Sequence, residues 1–137
     1  MARGEITSDE QVRIATAVAA AERDTGLEMC VAVCKPGAES TRTQAERAFR
    51  RLELPSRPAV LVIVLPRARK VEVVTSAVAR TRLSDDDCAA AVAVMVDRFA
   101  ENDIAGGVEA GLVALATRAG ARGEASDQTE LPDVIEA

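Results

Sequence analysis

Histidine, tyrosine and tryptophan are absent from these 137 residues, and phenylalanine occurs only twice. Without histidine there is no Ser-His-Asp or Cys-His catalysis, no imidazole-held zinc and no imidazole base. Any enzyme built from this chain must work with carboxylates, Lys, Arg, Ser, Thr or Cys. The lack of aromatic rings removes the platforms on which single-stranded bases stack. A formal net charge of −5 further disfavours a phosphate backbone, so nucleic acid is excluded as a partner class. Neither GxxxxGK[ST] nor GxGxxG occurs, which removes the usual phosphate and dinucleotide loops. The opening "MARGEITSDEQ" is polar at once and has no apolar signal region. The longest apolar run, "AVLVIVL", is far too short to span a bilayer. These features predict a soluble cytoplasmic chain with no transmembrane segment.

Cysteine is scarce too: Cys30, Cys34 and Cys88. Cys30 and Cys34 fall four apart in a predicted strand, so they share a face roughly 13 Å apart. That is beyond disulfide reach, and the spacing is not that of a zinc site. A Cys-x5-Arg phosphatase loop is also missing, because Ser40 stands at the sixth position after Cys34. Buried free thiols in a reducing compartment are the expectation.

What the chain does have is small apolar residues, chiefly Ala, Val and Leu, within an apolar fraction of 48%. "TSDEQVRIATAVAAAERDTG" reads as a helix with a capping box at Thr7 or Ser8 and Gly26 at its end. "LEMCVAVC" reads as a strand, and "RTQAERAFRRLE" as a short helix with Ala45, Ala48, Phe49 and Leu52 inward. "AVLVIVL" is apolar on both faces, as a strand covered from both sides must be. "KVEVVTS" makes a third strand, "SDDDCAAAVAVMVDRFAEND" a helix, and "DIAGGVEAGLVALATRAG" a last helix capped by Asp103. Gly107 and Gly111 in that helix are expected to permit close packing on the sheet. The order α-β-α-β-β-α-α predicts an α/β fold, a small three-layer α/β/α sandwich around a mixed sheet of three to four strands. Residues 1–6 form a lead-in, 7–120 a single domain, and 121–137 an acidic tail.

Functional candidates cluster in "RTRLSDDDCAA" and the strand before it. Three successive helical residues point about 100° apart, so Asp85, Asp86 and Asp87 cannot all face one ion. One or two of them can, with ligands from elsewhere. The alternative is structural: Ser84 and Asp87 are spaced as a capping box, and acids in a first turn complement the helix dipole. Glu72, which interrupts a valine-rich strand beside Lys70, is a metal-ligand candidate or one half of a solvated pair. Arg80 and Arg82 are candidate phosphate-binding residues, or they neutralise the aspartates beside them.

Several segments together resemble the TPM domain family, named for thylakoid-lumen, photosystem-repair and acetylcholine-receptor-associated members. "RFAENDIAGGVEAGLVAL" resembles its closing signature, an aromatic, a short acidic turn and a glycine-studded helix. "ITSDEQVRIATAVAAAERDTGLEMCVAV" resembles the opening helix and strand, and "AVLVIVLPRARKVEVV" the central hairpin. The resemblance implies an α/β/α sandwich over roughly residues 5 to 118. Some family members are described as phosphatases or calcium-binding proteins, others as photosystem-repair factors or membrane-protein accessories. By that analogy Glu72 matches the strand carboxylate and Asp85 the acid that opens the third helix.

The sequence departs from the family pattern where a site would lie. "PSRPA" replaces an Asp-Asn-Gly-like turn, and "VTSAVARTR" replaces a Gly-x-Gly-Leu-Glu-like loop. Most members also carry a signal peptide or membrane anchor, and this chain resembles a soluble, actinobacterial-type divergent branch. Two expectations follow. The first is a non-catalytic interaction or accessory module, with Leu131, Val134 and Ile135 in the tail as a docking segment for a protein partner. The second is a phosphatase using calcium or magnesium, with Asp85 and Asp87 as catalytic acids, Glu72 and Asp85 as metal ligands, and Arg80 or Arg82 on the phosphate.

Overall fold

Thr7 begins the order. Its hydroxyl accepts from the Glu10 amide while the Glu10 carboxylate accepts from the Thr7 amide, closing the capping box of helix α1 (Ser8–Thr25). Gly26, at φ 76°, ends that helix in the left-handed region. The computed structural model describes residues 6–121. After α1 come β1 (Glu28–Val33), α2 (Thr41–Arg51), β2 (Ala59–Leu65), β3 (Lys70–Thr75), α3 (Ala77–Arg80), α4 (Asp85–Phe99) and α5 (Ile104–Ala119).

The sheet has three strands in the order β1-β2-β3. β1 runs parallel to β2, and β3 runs antiparallel to it. Every residue of β2 is buried, as its uninterrupted apolar composition requires of a strand covered on both faces. One face, carrying Met29, Val60, Val62, Val64, Val71 and Val73, packs against α1, α4 and α5. The other, carrying Leu61, Ile63, Leu65 and Val74, packs against Ala45 and Phe49 of α2. The layers are therefore three helices, a sheet, and one helix.

Three expectations need correction. "SAVARTR" is not a plain loop: Ser76 caps the short helix α3, and its hydroxyl also accepts from the Ala59 amide across the sheet. Leu52 does not point inward. It follows the end of α2 and is 47% exposed, while Leu54 is buried in its place. Gly107 and Gly111 serve a close approach of α5 to α4, not to the sheet. A Cβ at Gly107 would meet the Phe99 ring at 2.7 Å, and one at Gly111 would meet Met95 Cγ at 2.4 Å.

Candidate functional site

Ser84 organises the acidic triplet. Its hydroxyl accepts from the Asp87 amide at 3.1 Å, and Asp87 Oδ2 accepts from the Ser84 amide at 2.9 Å. This is the capping box that the spacing of the two residues predicts. The second carboxylate oxygen of Asp87 accepts from Arg118 Nη1 of α5 at 3.1 Å. Both oxygens of Asp87 are thus engaged. The Ser84 amide first, and then Arg118, hold its carboxyl below the usual carboxylate range. Asp85 and Asp86 are exposed in the same first turn.

Glu72 lies in another layer. It shares the α2-side face of β3 with Val74, whereas α4 packs on the opposite face. Its partner is Arg42 of α2 and not Lys70: Arg42 Nη1 stands 3.4 Å from Glu72 Oε1. The same guanidinium donates to the Val73 carbonyl at 2.8 Å and, through Nε, to Glu46 at 2.9 Å. Arg42, Glu72 and Lys70 border a shallow depression of about 490 Å3 that includes neither Asp85 nor Asp87.

The two arginines of the candidate phosphate site also part company. Arg80 donates to the Thr75 carbonyl at 3.1 Å, at the end of β3. Arg82 turns to the far side, donating to the carbonyls of Thr25 at 2.8 Å, Gly120 at 2.9 Å and Ala119 at 3.3 Å. It thereby joins the C-terminal ends of α1 and α5, where free carbonyls attract a cation. Among the described residues neither arginine forms an ion pair with the aspartates, which corrects the neutralising expectation. Arg118, which sequence spacing did not single out, occupies that role.

Sulfur provides no primed nucleophile either. Burial pushes the thiols of Cys30 and Cys34 up. It does the same at Cys88, where Asp85 and Asp87 push further upward against Arg42 and Arg80. Low thiolate content makes an inert cysteine. Among the described residues no three His, Cys, Asp or Glu side chains converge closely enough to hold a metal ion. Glu72, Asp85 and Asp87 do not come together in such a group. Leu131, Val134 and Ile135 lie outside the described residues.

Arg42, like Arg118, is a residue that reading the sequence missed. Its partners Glu72 and Val73 lie 30 and 31 positions away, so no local spacing announces them.

The chain matches solved structures along most of its length. The NMR structure of BA42 from the psychrophilic bacterium Bizionia argentinensis aligns with a TM-score of 0.77 at 20% identity, covering 96% of this chain and 94% of that one. The N-terminal domain of a protein from P. gingivalis aligns at 0.73 with 14% identity, covering 85% and 77%. The N-terminal domain of the cg2496 protein of Corynebacterium glutamicum aligns at 0.69 with 14% identity, covering 83% and 74%. At such identities the likeness is one of fold. No curated protein matches the sequence, and among the described residues no helix is long and apolar enough to cross a membrane. The family model of the TPM domain matches residues 2–118, and this chain belongs to that family.

Proposed function

We propose that this TPM domain is a cytoplasmic, non-catalytic interaction or accessory module that retains the family fold around a degenerate site. The observation that carries this reading is the commitment of Asp87: one carboxylate oxygen serves the cap of α4 and the other serves Arg118. A metal ligand or general acid at that position would have to share its oxygens with both contacts. Arg82, one of the two candidates for holding a phosphate, is likewise committed to backbone carbonyls at the ends of α1 and α5. The three free thiols suit a reducing compartment.

The test is thermal unfolding with millimolar calcium, magnesium or manganese, alongside hydrolysis of a simple aryl phosphate. A ligand specific for the folded state raises its stability by mass action. The proposal expects no metal-dependent shift and no turnover. A shift that disappears in Asp85→Ala/Asp87→Ala, with hydrolysis lost in parallel, would establish the metal-dependent phosphatase instead. Any docking role for Leu131, Val134 and Ile135 is checked by comparing partners captured with and without residues 121–137.

A further inference from the structure

The two edges of the sheet are treated differently. An edge strand presents a row of unpaired amides and carbonyls, and native proteins usually cover or charge that row. At β3 the outward carbonyls of Val73 and Thr75 each accept from an arginine, Arg42 and Arg80, and Lys70 adds a charge. At β1 the residues bonded to β2 are Glu28, Cys30, Ala32 and Cys34, as shown by Glu28 donating to Pro58 and Cys34 to Val64. Met29, Val31, Val33 and Lys35 consequently turn their backbone groups outward. Of these, the Met29 amide donates to Glu22 and the Lys35 carbonyl accepts from Gln44. The amides and carbonyls of Val31 and Val33 have no partner among the described residues. A groove of about 550 Å3 runs beside them, lined by Ile14 and Val18 of α1 and by Val31 and Val33.

We propose that this edge pairs with the same edge of a second copy, β1 antiparallel to β1, about a twofold axis through Ala32. The pattern of committed groups selects both the occupant and the register. A twofold axis at Val31 would set the partner's Val33 against Met29, whose amide is already taken. A twofold axis at Val33 would set Val31 against the partner's Lys35, whose carbonyl is already taken. Only the axis through Ala32 opposes Val31 to the partner's Val33 twice, so that all four free groups of each copy are paired. The taken Met29 amide then faces the taken Lys35 carbonyl, and neither is left wanting. An interface in which one patch is its own complement is the mark of a twofold dimer. The product is a continuous six-stranded sheet with the two α1 helices flanking the axis on one side. This inference does not depend on the reading of the acidic helix end, since a catalytic domain could dimerise in the same way.

The register has a chemical signature. It sets Cys30 opposite the partner's Cys34, and Cys34 opposite the partner's Cys30, on the α2 side of the sheet. Both are non-hydrogen-bonded positions of an antiparallel pair, where Cα atoms stand about 4.5 Å apart, within disulfide range. Within one chain Cys30 and Cys34 remain too far apart to bridge.

The experiment uses the full chain carrying Cys88→Ser, with Cys30→Ser or Cys34→Ser added separately. Diamide, whose N=N bond takes the two thiol hydrogens as the S–S bond forms, is applied in mildly alkaline buffer. Neither single-cysteine protein alone should cross-link, the two mixed should give a disulfide dimer, and sedimentation of the unmodified chain should show twice the 14.4 kDa chain mass. Val31→Pro, which removes an outward amide and leaves the ladder to β2 intact, should return a folded monomer. Cross-linking of either variant alone, a monomer at all concentrations, or dimerisation that appears only after residues 1–5 are removed would overturn the proposal. In the last case the chain's own leading segment would be what holds the edge.

Discussion

Asp87 and Arg118 tie the first turn of α4 to the last turn of α5 through a contact of 3.1 Å, while the other oxygen of Asp87 closes the cap of its own helix. Asp87→Ala removes both, and a lost cap with an exposed ion pair should lower stability by about 1 kcal/mol. Urea unfolding reads that change.

Asp87→Asn keeps the shape but removes the charge and turns one of the two accepting oxygens into a donor, which gives a pH signature. The folded-state carboxyl titrates below its ordinary value, chiefly because the Ser84 amide donates to its charged form. Its contribution is therefore fully present above the unfolded-state carboxylate pKa and is lost as pH falls through the folded-state one. The stability difference between the parent and Asp87→Asn should be constant near neutrality and shrink steadily in acid. A difference that grew in acid would contradict the assignment.

Gly111 and Met95 make a second coupled pair. Alanine favours a helix over glycine by about 1 kcal/mol, so an exposed Gly→Ala change would stabilise α5. Here the added Cβ would meet Met95 Cγ at 2.4 Å, and Met95 is fully buried. Overpacking costs about 1–3 kcal/mol, so Gly111→Ala should be destabilising on balance. In a Met95→Ala background the same change should turn neutral or favourable, a coupling that a double-mutant cycle measures.

Arg82 distinguishes a structural arginine from a ligand-binding one. Its guanidinium bridges the ends of α1 and α5 through Thr25, Ala119 and Gly120. Hydrogen bonds to charged groups contribute about 1.5–3 kcal/mol, so Arg82→Ala should lose about 2 kcal/mol in chemical unfolding. Arg82→Lys should recover only part of that, because an ammonium cannot span the same fork of carbonyls. An arginine held in reserve for an anion would be nearly silent in this assay.

The contrast between Asp87 and Arg82 marks how far the sequence could be read. The Ser84–Asp87 cap, the Thr7–Glu10 cap and the Asp103 cap were legible because each is complete within four residues. Burial of β2 on both faces was legible from its unbroken apolar run. α3 was not, since four residues carry no period, and its cap Ser76 is fixed by a bond to Ala59 seventeen positions away. The long-range partners of Arg42, Arg82 and Arg118 were hidden for the same reason: each is set by the packing of elements 30 or more residues apart. Composition announced that arginines would neutralise carboxylates, but only the fold could say which ones.

The outer edge of β3 offers the last prediction. Arg42 caps the Val73 carbonyl there and Arg80 caps that of Thr75, so two cations stand where another strand would have to bind. Each substitution gives up a charge-assisted bond to a carbonyl, so Arg42→Ala/Arg80→Ala should lose about 2 kcal/mol or more in stability. Its distinguishing effect should fall on association. With both guanidinium groups gone, Val71 and Val73 leave an unguarded edge of the kind that templates intermolecular pairing. Light scattering at rising protein concentration should then report species larger than any the parent forms, and Val73→Pro in the same background should suppress them by removing the outward amide. If the double variant scatters like the parent, the arginines serve only the local turn and the β3 edge is protected by something else.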